Sequence, residues 1–531
     1  MTDWGIFMKI TKKIKNILST ALIVTMMGSM LTGCSAGSKA EAASVLNFGA
    51  TNFSDSLDPS ALPNAAWCVS RYGIGEALFR FDDQMEADYY LCDDYSVNDE
   101  HTEWTFHIRE GVKFSNGKEL TASAVVDSIE YMYKQEKSGK GSTAPSQYMV
   151  YDSIKADDEA RTVTIKTSKA YADLTKALAH PFFSILDMES DLASKPIGTG
   201  PYAIDKYDTG VSIAMNANEH YWKEDVPYEK LNVIFIEDST TKAMALQNGD
   251  VDVVENINTA NDLKTLKDSD DFNVSETVGV RIGFAYINQK GILKNDDLRQ
   301  AILTAIDDDT LCKVTVGGLY DAGASVLPST LDYGSDKLKD ATPYDEEKAN
   351  KILDDANIVD TDGDGYRELD GKNIELNFLT YDSRNLPDFA EGVASQLEKI
   401  GVKVNVKKTD ADTEWNMLVS GEYDLLNTNW MTVQDGNPYG YLDNWYGKSN
   451  ANYCGYQNDE YDKIYEELSK EMNEEKRKEM IQKLQQILID DAAVMVHGYY
   501  NSNMCSDKSV DGAQISVADY YWISTDIKPA K

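Results

Sequence analysis

Four acidic side chains around a glycine-rich turn are the first residues whose types and spacing could do chemistry. Asp360, Asp362 and Asp364 occupy alternate positions and a glycine follows them, and Glu368 then supplies a fourth acid. This spacing matches the first half of an EF-hand calcium loop, but Gly371 stands where that loop has its bidentate glutamate. The sequence therefore predicts a solvated acidic turn and no cofactor, with weak structural Ca²⁺ binding as the alternative.

Residue types that are typical of catalytic sites lack the spacing that catalysis needs. The 5 histidines include no HExxH pair, and the chain has no GxSxG nucleophile elbow. Carboxylates are so frequent that a glycosidase pair cannot be identified by counting them. The sequence predicts that the protein is not an enzyme, and a hydrolase remains the alternative from another functional class.

The composition is typical of a globular protein with a strongly acidic surface. A chain of 531 residues that is 42% hydrophobic suits two or three domains with a substantial core. The 51 basic and 89 acidic side chains give a formal net charge of −38. Such an acidic field opposes binding to phosphates, so we expect no nucleic-acid partner.

The N-terminal segment has the pattern of an export signal. Lysines between residues 9 and 15 precede an apolar stretch at 17–31 that is too short to span a membrane comfortably. Leu-Thr-Gly-Cys, ending at Cys34, resembles the bacterial lipobox. This resemblance implies a signal segment 1–34, diacylglycerol on Cys34 and a tether 35–44. The protein would then lie on the extracellular face of the cell membrane, or in the periplasm if the source has an outer membrane.

The other cysteines do not form a recognisable framework. They are odd in number, widely spaced and without a CxxC pair, which argues against a disulfide scaffold and a zinc site. We expect buried thiols, with a single bridge such as Cys68 to Cys92 left open.

Strand and helix patterns alternate along the chain. Trp104, Phe106 and Ile108 have the alternation of a strand, whereas apolar residues recur at helical spacing in 389–400, 461–468 and 481–488. Strands mixed with helices predict an α/β fold.

Five segments, taken in order, carry a family resemblance. Together they resemble the family 5 bacterial solute-binding proteins, which include oligopeptide, dipeptide and nickel-chelate binding proteins. The resemblance extends over about residues 45–525. The segments lie at 104–127, 197–202, 218–222, 246–252 and 298–307. Within the second, Gly198 and Gly200 are interpreted as a tight backbone passage rather than a ligand site.

The resemblance implies a two-lobed periplasmic-binding-protein-like α/β fold of the class II type, with three domains. Ligand would bind in the cleft between the lobes, which close over it by a hinge motion. The implied boundaries are 45–60, 196–272 and 496–531 for domain I, 61–195 for domain II and 273–495 for domain III.

The resemblance also implies ligand contacts from one segment of domain III. Its candidate residues are Trp430, Gln434, Asp435, Asn437 and Tyr439. In peptide-binding relatives an aspartate at the position of Gln434 pairs with the ligand's ammonium group, and here Asp435 could replace it only if the loop shifts. In nickel-binding relatives a histidine occupies the position of Tyr439.

Four further residues are weaker candidates. Trp67 and Tyr72 lie just inside domain II, near the expected cleft. Arg281 and Arg384 are isolated cations of domain III that could grip a ligand carboxylate through a guanidinium fork, and a surface salt bridge is the alternative for each.

The sequence thus predicts a lipid-anchored binding protein of an ABC importer. Its ligand would be a peptide or peptide-like molecule, with a metal chelate of the nickel or metallophore type as the alternative. An extracellular hydrolase and a surface sensor on the same scaffold are the alternatives from other classes. The expected partners are the permease and ATPase of the importer, and the protein itself is expected to be a monomer.

Overall fold

Short strands and helices alternate along the chain, which the computed structural model describes from residue 44 to residue 531. The predicted signal segment 1–34, with Cys34, and the tether up to residue 43 lie outside the described residues. The strands are β1 (Val45–Ala50), β2 (Phe79–Phe81), β3 (Ala87–Tyr89), β4 (Cys92–Val97), β5 (Glu103–Ile108), β6 (Tyr151–Asp157), β7 (Thr162–Thr167), β8 (Tyr202–Asp208), β9 (Ser212–Ala217), β10 (Lys230–Phe235), β11 (Val253–Glu255), β12 (Phe272–Ile287), β13 (Tyr320–Asp321), β14 (Glu368–Leu369), β15 (Lys372–Asn373), β16 (Glu375–Tyr381), β17 (Lys403–Thr409), β18 (Leu425–Met431), β19 (Val494–Asp507), β20 (Val510–Asp511) and β21 (Lys528–Pro529).

The helices are mostly short and begin at good capping residues. Asn458 and Asn473, for example, accept backbone N–H groups of the first turn of the helices that follow them. None of the described helices has the length and apolar character needed to cross a bilayer. The helices are α1 (Pro63–Arg71), α2 (Ala122–Ser138), α3 (Thr175–Ala179), α4 (Ser239–Gln247), α5 (Ala260–Lys267), α6 (Asp296–Thr304), α7 (Asp308–Thr310), α8 (Glu346–Asp355), α9 (Leu386–Glu398), α10 (Ala411–Ser420), α11 (Tyr439–Leu442), α12 (Asp459–Leu468) and α13 (Glu474–Asp490).

Two long antiparallel strands join the two halves of one mixed sheet. The strand order is β17-β16-β18-β12-β19-β11-β1-β10-β9-β8, so β12 and β19 form the centre, and β13 pairs with β19. The register of β12 against β19 shifts between Val278 and Ile282 and again between Gly283 and Phe284. Because bulges bend a strand, the sheet changes direction where its two halves meet.

A separate four-stranded antiparallel sheet, in the order β4-β5-β7-β6, packs against α2. Trp104, Phe106 and Ile108 are buried on one face of β5, which confirms the predicted strand. Thr121 caps α2 by accepting the N–H of Ala124 at 3.1 Å. The predicted helices are confirmed as α9, α12 and α13, and so is the α/β character of the fold.

The predicted tight backbone passage is confirmed at Gly198 and Gly200. A Cβ atom on Gly198 would lie 2.1 Å from the carbonyl oxygen of Ile74, and one on Gly200 would lie 2.3 Å from that of Gly73. Any side chain there would separate these segments. The two glycines therefore hold the start of β8 against the end of α1.

The five cysteines of the described residues are all buried free thiols. The bridge between Cys68 and Cys92 that the sequence left open is not formed. Cys68 lies in the core with Tyr72, whereas Cys92 belongs to the core of the four-stranded sheet and donates to the carbonyl of Asp94. The two cysteines belong to different apolar cores, so they are not partners.

Candidate ligand-binding site

A cleft of about 1040 Å³ lies between the region of the four-stranded sheet and the segment that follows β18. One wall carries Tyr148, Tyr171 and Lys176, and the other carries Arg477. We call this cavity the outer cleft. Its volume is that of a typical small-ligand site. The structure brings together in it all the candidates from the segment after Asn429, namely Trp430, Gln434, Asp435, Asn437 and Tyr439.

The loop 433–438 is seated on the opposite wall of the outer cleft. Tyr148 donates its hydroxyl hydrogen to Gln434 Oε1 at 2.8 Å, and Tyr520 donates to the Gln434 carbonyl at 3.0 Å. Gly436 has φ +70°, and a Cβ atom there would lie 2.7 Å from the carbonyl oxygen of Met85. Gln434 therefore uses its amide oxygen in a contact within the protein, and only glycine fits at position 436.

Asp435 is the acid of this loop. Burial raises its pKa to about 6, although the charges of Lys176 and Arg477 act in the opposite direction. Lys176 is itself paired with Glu86 at 2.6 Å, and Arg477 donates to backbone carbonyls. Asp435 has no ion pair of its own among the described residues, which leaves it available to a cationic group of a ligand.

Aromatic rings give the outer cleft flat apolar surfaces with polar edges. Tyr439 stacks on Tyr465 with ring centroids 4.3 Å apart, and Tyr465 stacks in turn on Tyr446 at 4.7 Å. Asn437 accepts the backbone N–H of Tyr439 at 3.0 Å, so Asn437 shapes the turn that presents this ring. Trp430 lines the same wall.

Three arginines meet close to the outer cleft, where α1, β12 and the loop after β16 approach the C-terminal segment. Arg71 forms a buried ion pair with Asp519, with 2.8 Å between Nη2 and Oδ2. Arg281 donates from Nη1 to Asn429 Oδ1 at 2.6 Å. Arg384 follows β16 and acts electrostatically on Arg281. We call Arg71, Arg281, Arg384 and Asp519 the arginine site.

The guanidinium groups of Arg281 and Arg384 influence each other. Burial and the charge of Arg384 lower the pKa of Arg281 to about 10. Burial also lowers the pKa of Arg384, but Tyr500 and Asp519 outweigh this effect and the net shift is upward. Both groups are therefore cationic at neutral pH, and each disfavours the charge of the other.

Trp67 and Tyr72 lie in different surroundings although they are close in sequence. The ring of Trp67 lies 5.5 Å from the guanidinium of Arg71, and its buried indole N–H has no partner among the described residues. Trp67 therefore borders the arginine site. Tyr72 is only 1% exposed and packs against Trp522 in the core. The predicted position of Tyr72 at the cleft is corrected, because core packing leaves it no surface to offer a ligand.

Several residues of the two sites were not predicted from the sequence. Tyr148 and Lys176 in the outer cleft, and Arg71 and Asp519 in the arginine site, lie far along the chain from the residues that they face. No motif marks them. The one usable signal was the spacing of Trp67 and Arg71, which places both on the same face of a helix.

The acidic turn lies outside both sites. Oxygen atoms of Asp360, Asp362 and Glu368 lie within 4.8 Å of one another. Asp364 accepts the amide of Asn373 at 2.6 Å, and Asp360 and Glu368 accept backbone N–H groups of the turn itself. The predicted absence of a cofactor and the alternative of weak calcium binding both stay untested for this cluster.

The fold and the cleft define a class of protein. One sheet passes through both halves of the molecule by way of β12 and β19, and a ligand-sized cleft is walled by segments from distant parts of the chain. This is the architecture of two-lobed binding proteins, which close around a ligand.

The chain belongs to the family described as "Bacterial extracellular solute-binding proteins, family 5 Middle", whose sequence model matches residues 88–453. Members of this family are binding proteins. The probable D,D-dipeptide-binding periplasmic protein DdpA of Escherichia coli K12 is 26% identical over 482 residues, 86% of this chain and 88% of that protein. The nickel-binding protein NikA of Staphylococcus aureus is 26% identical over 403 residues, 75% of this chain and 77% of that protein.

Solved structures confirm the two-lobed periplasmic-binding-protein-like fold. The crystal structure of NikA from Brucella suis in complex with Fe(III)-EDTA matches with a TM-score of 0.82 and 19% identity. The match covers 92% of this chain and 100% of that structure.

Proposed function

We propose that this protein is the lipid-anchored substrate-binding component of an ABC importer. It captures a peptide or peptide-like ligand by lobe closure on the outer face of the membrane and delivers it to the permease and ATPase. The observation that carries this proposal is the outer cleft, because residues from both of its walls converge on a space of about 1040 Å³. The family membership supports the same role.

The two sites supply groups that are suited to a peptide-like ligand. Trp430 and Tyr439 offer flat apolar faces, and Asp435 is an acid without an ion pair among the described residues. Arg281 and Arg384 offer guanidinium donors for a carboxylate. A relative named for D,D-dipeptide binding agrees with this substrate class.

A metal chelate is the second candidate ligand, and Gln434 favours it. The neutral amide of Gln434 stands where an acid would meet an ammonium group, and its oxygen already accepts from Tyr148. Since Tyr439 replaces the histidine of nickel-binding relatives, the metal would be held by its own chelator and the aromatic walls would contact that chelator. A relative named for nickel binding supports this alternative.

Native mass spectrometry of residues 35–531, purified without denaturation, tests these proposals. A co-purified mixture of peptides supports the peptide carrier, whereas a single metal chelate moves the assignment to chelate uptake. Ligand that is recovered chemically altered would favour a hydrolase. The variant Trp430→Ala should purify with less ligand if the outer cleft is the binding site, and Trp415→Ala, at an exposed position, is its matched control.

The lipid anchor has its own test. Metabolic labelling with a radioactive fatty acid should label the full-length chain and leave a Cys34→Ser variant unlabelled and released from membranes. Membrane retention of the unlabelled variant would contradict the anchor. Loss of import on deletion of an adjacent permease gene would separate a transport protein from a surface sensor.

A further inference from the structure

The arginine site carries more positive than negative charge, and this excess indicates the kind of ligand that fits. Three of its members are guanidinium groups, and Asp519 is its one carboxylate. Building on the proposed function, we infer that Arg281 and Arg384 each bind a separate negatively charged group of the ligand. The protein would then select dianionic ligands over zwitterionic peptides.

Asp519 is already engaged on both carboxylate oxygens. Arg71 donates to Oδ2 at 2.8 Å, and the indole N–H of Trp522 donates to Oδ1 at 2.8 Å. The side chains of Arg71 and Asp519 are 2% and 8% exposed, so the pair is a buried, neutral unit. Asp519 acts on Arg281 and Arg384 only at longer range, and its single charge is matched by that of Arg71, so the other two guanidinium groups of the arginine site remain in excess.

Arg281 is held in place by neutral groups. Asn429 accepts from Arg281 with Oδ1 at 2.6 Å and donates from Nδ2 to the hydroxyl of Tyr381 at 2.6 Å. Among the described residues, no carboxylate oxygen lies within 4.0 Å of the Arg281 guanidinium. The network fixes this group without neutralising it, and such a pre-organised donor suits an incoming anion.

Arg384 is positioned by a strained piece of backbone. Arg384 and Asn385 have φ values of +43° and +59°, in the left-handed region that non-glycine residues rarely adopt. Tyr320 stabilises this conformation by donating its hydroxyl hydrogen to the carbonyl of Arg384 at 2.8 Å. Strain of this kind clusters at ligand sites, where the surroundings hold it.

The side chain of Arg384 lacks an acidic partner within the described residues. Its guanidinium carbon lies 5.4 Å from the ring centroid of Tyr500, and its buried Nε has no hydrogen-bond acceptor there. An unpaired buried donor on a charged group is costly. An anionic group of a ligand would supply the missing acceptor.

Charge balance then distinguishes between ligands. A zwitterionic peptide brings no net charge and adds an ammonium group, whereas a dianion neutralises both unpaired guanidinium groups. A further acid, Glu414, acts on Tyr381. Burial raises the pKa of Glu414 to about 7, so its charge is incomplete at neutral pH.

Matched peptides test this selection by isothermal titration calorimetry on the dialysed soluble protein. N-acetyl-Ala-Glu carries two negative charges, N-acetyl-Ala-Gln carries one with nearly the same shape, and Ala-Gln is zwitterionic. Succinate and its monoamide form a second pair. We expect each dianion to bind at least about tenfold more tightly than its matched monoanion, and the zwitterion to bind most weakly.

Two variants assign the selection to the arginine site. Arg281→Gln and Arg384→Gln should each remove the preference for the dianion, whereas Lys407→Gln removes an exposed charge from the same half of the chain and should leave it unchanged. Without added probe, Arg281→Gln should melt no lower than wild type, because it removes a charge that burial and Arg384 disfavour. A merely structural arginine at position 281 would lower the melting temperature when replaced. The pKa of Arg384 is raised, so its charge is stabilised in the folded state and Arg384→Gln is assessed by its binding preference alone.

The outcomes separate this inference from the proposed function. Equal affinity for all probes, or an undiminished preference in both arginine variants, would overturn the selection of dianions and leave the binding function standing. Failure of every dianion to bind would also overturn it. The proposed function fails only if, in addition, no ligand co-purifies and no zwitterionic or neutral probe binds.

Discussion

The outer cleft and the arginine site differ in how their charges are balanced. In the outer cleft, Lys176 pairs with Glu86 at 2.6 Å and Lys478 pairs with Asp332 at 3.0 Å. In the arginine site, Arg281 and Arg384 have no acid within 4.0 Å among the described residues. The outer cleft is wide and aromatic, and these lysines are paired with acids. The arginine site contains one buried ion pair and two further guanidinium groups without a close acid.

This difference suits the two regions to two tasks of a binding protein, which are to supply affinity and to discriminate between ligands. Aromatic surface adds affinity roughly with the area it buries and tolerates variation in the ligand. Unpaired charged groups discriminate, because a ligand without the complementary group leaves them buried and unsatisfied. We therefore expect the outer cleft to set how large a ligand is accepted, and the arginine site to set which chemistry is accepted.

The largest expected effect comes from blocking the contact between the two walls of the outer cleft. Gly436→Ala should lower the free energy of unfolding by about 3 kcal/mol, from overpacking against Met85 and from backbone strain. Gly421→Ala is the matched control, because Gly421 also has positive φ but nothing within 4 Å of a Cβ atom. Gly421→Ala should lower the free energy of unfolding by only about 1 kcal/mol. Equal losses in urea unfolding of the two variants would show that loop 433–438 is not seated on the facing wall.

A smaller effect should follow from removing an aromatic face. Trp430→Ala should weaken binding of the co-purified ligand by about 2 kcal/mol, since buried tryptophans dominate small-ligand and interface energetics. Trp415 is 46% exposed on α10, so Trp415→Ala serves as the control and should leave affinity unchanged. Isothermal titration calorimetry measures the affinity of each variant for the ligand. Similar affinities for the two variants would remove Trp430 from the binding surface.

Asp435, in the outer cleft, should make the free energy of unfolding depend on pH. Burial raises its pKa to about 6, above the ordinary aspartate value, so the ionised form destabilises the folded state. This penalty is absent below about pH 4, grows up to the folded pKa and is complete above it. Allowing for partial exposure, Asp435→Asn should gain about 1 kcal/mol over wild type at pH 7.5 and nothing at pH 4.

Urea unfolding at several pH values measures the effect of Asp435. Asp412→Asn, at an exposed position of the same half, should show no comparable pH dependence. A wild-type stability that rises from pH 4 to pH 7.5 relative to Asp435→Asn would contradict the predicted sign.

The sequence predicted the outer cleft better than the arginine site. Trp430, Asp435 and Tyr439 share one short segment, so a local resemblance was enough to find them. Arg71 and Asp519 come from opposite ends of the chain and meet only because the C-terminal segment returns to α1. No local pattern encodes such a long-range pair.

Burial was the second property that the sequence left undetermined. Trp67 and Tyr72 are close in sequence, but Trp67 borders the arginine site whereas Tyr72 packs in the core. The direction of a side chain at the end of a helix depends on the neighbouring segments, here Trp522 beside Tyr72. Strand and helix spacing, in contrast, was sufficient for β5, α9, α12 and α13, because periodicity is a local property.

The acidic turn extends the comparison to a third region and gives the smallest expected effect. Its carboxylates resemble Glu86 of the outer cleft, which pairs with Lys176, in being already engaged. Asp360 accepts the N–H of Gly365 at 2.9 Å, and Asp364 accepts the amide of Asn373. Calcium would have to replace these bonds without the bidentate glutamate of a full loop. We expect 1 mM CaCl₂ to raise the melting temperature by no more than about 1 °C. A larger rise that is absent in Asp362→Asn would establish a calcium site here and would show that engaged carboxylates can still bind a cation.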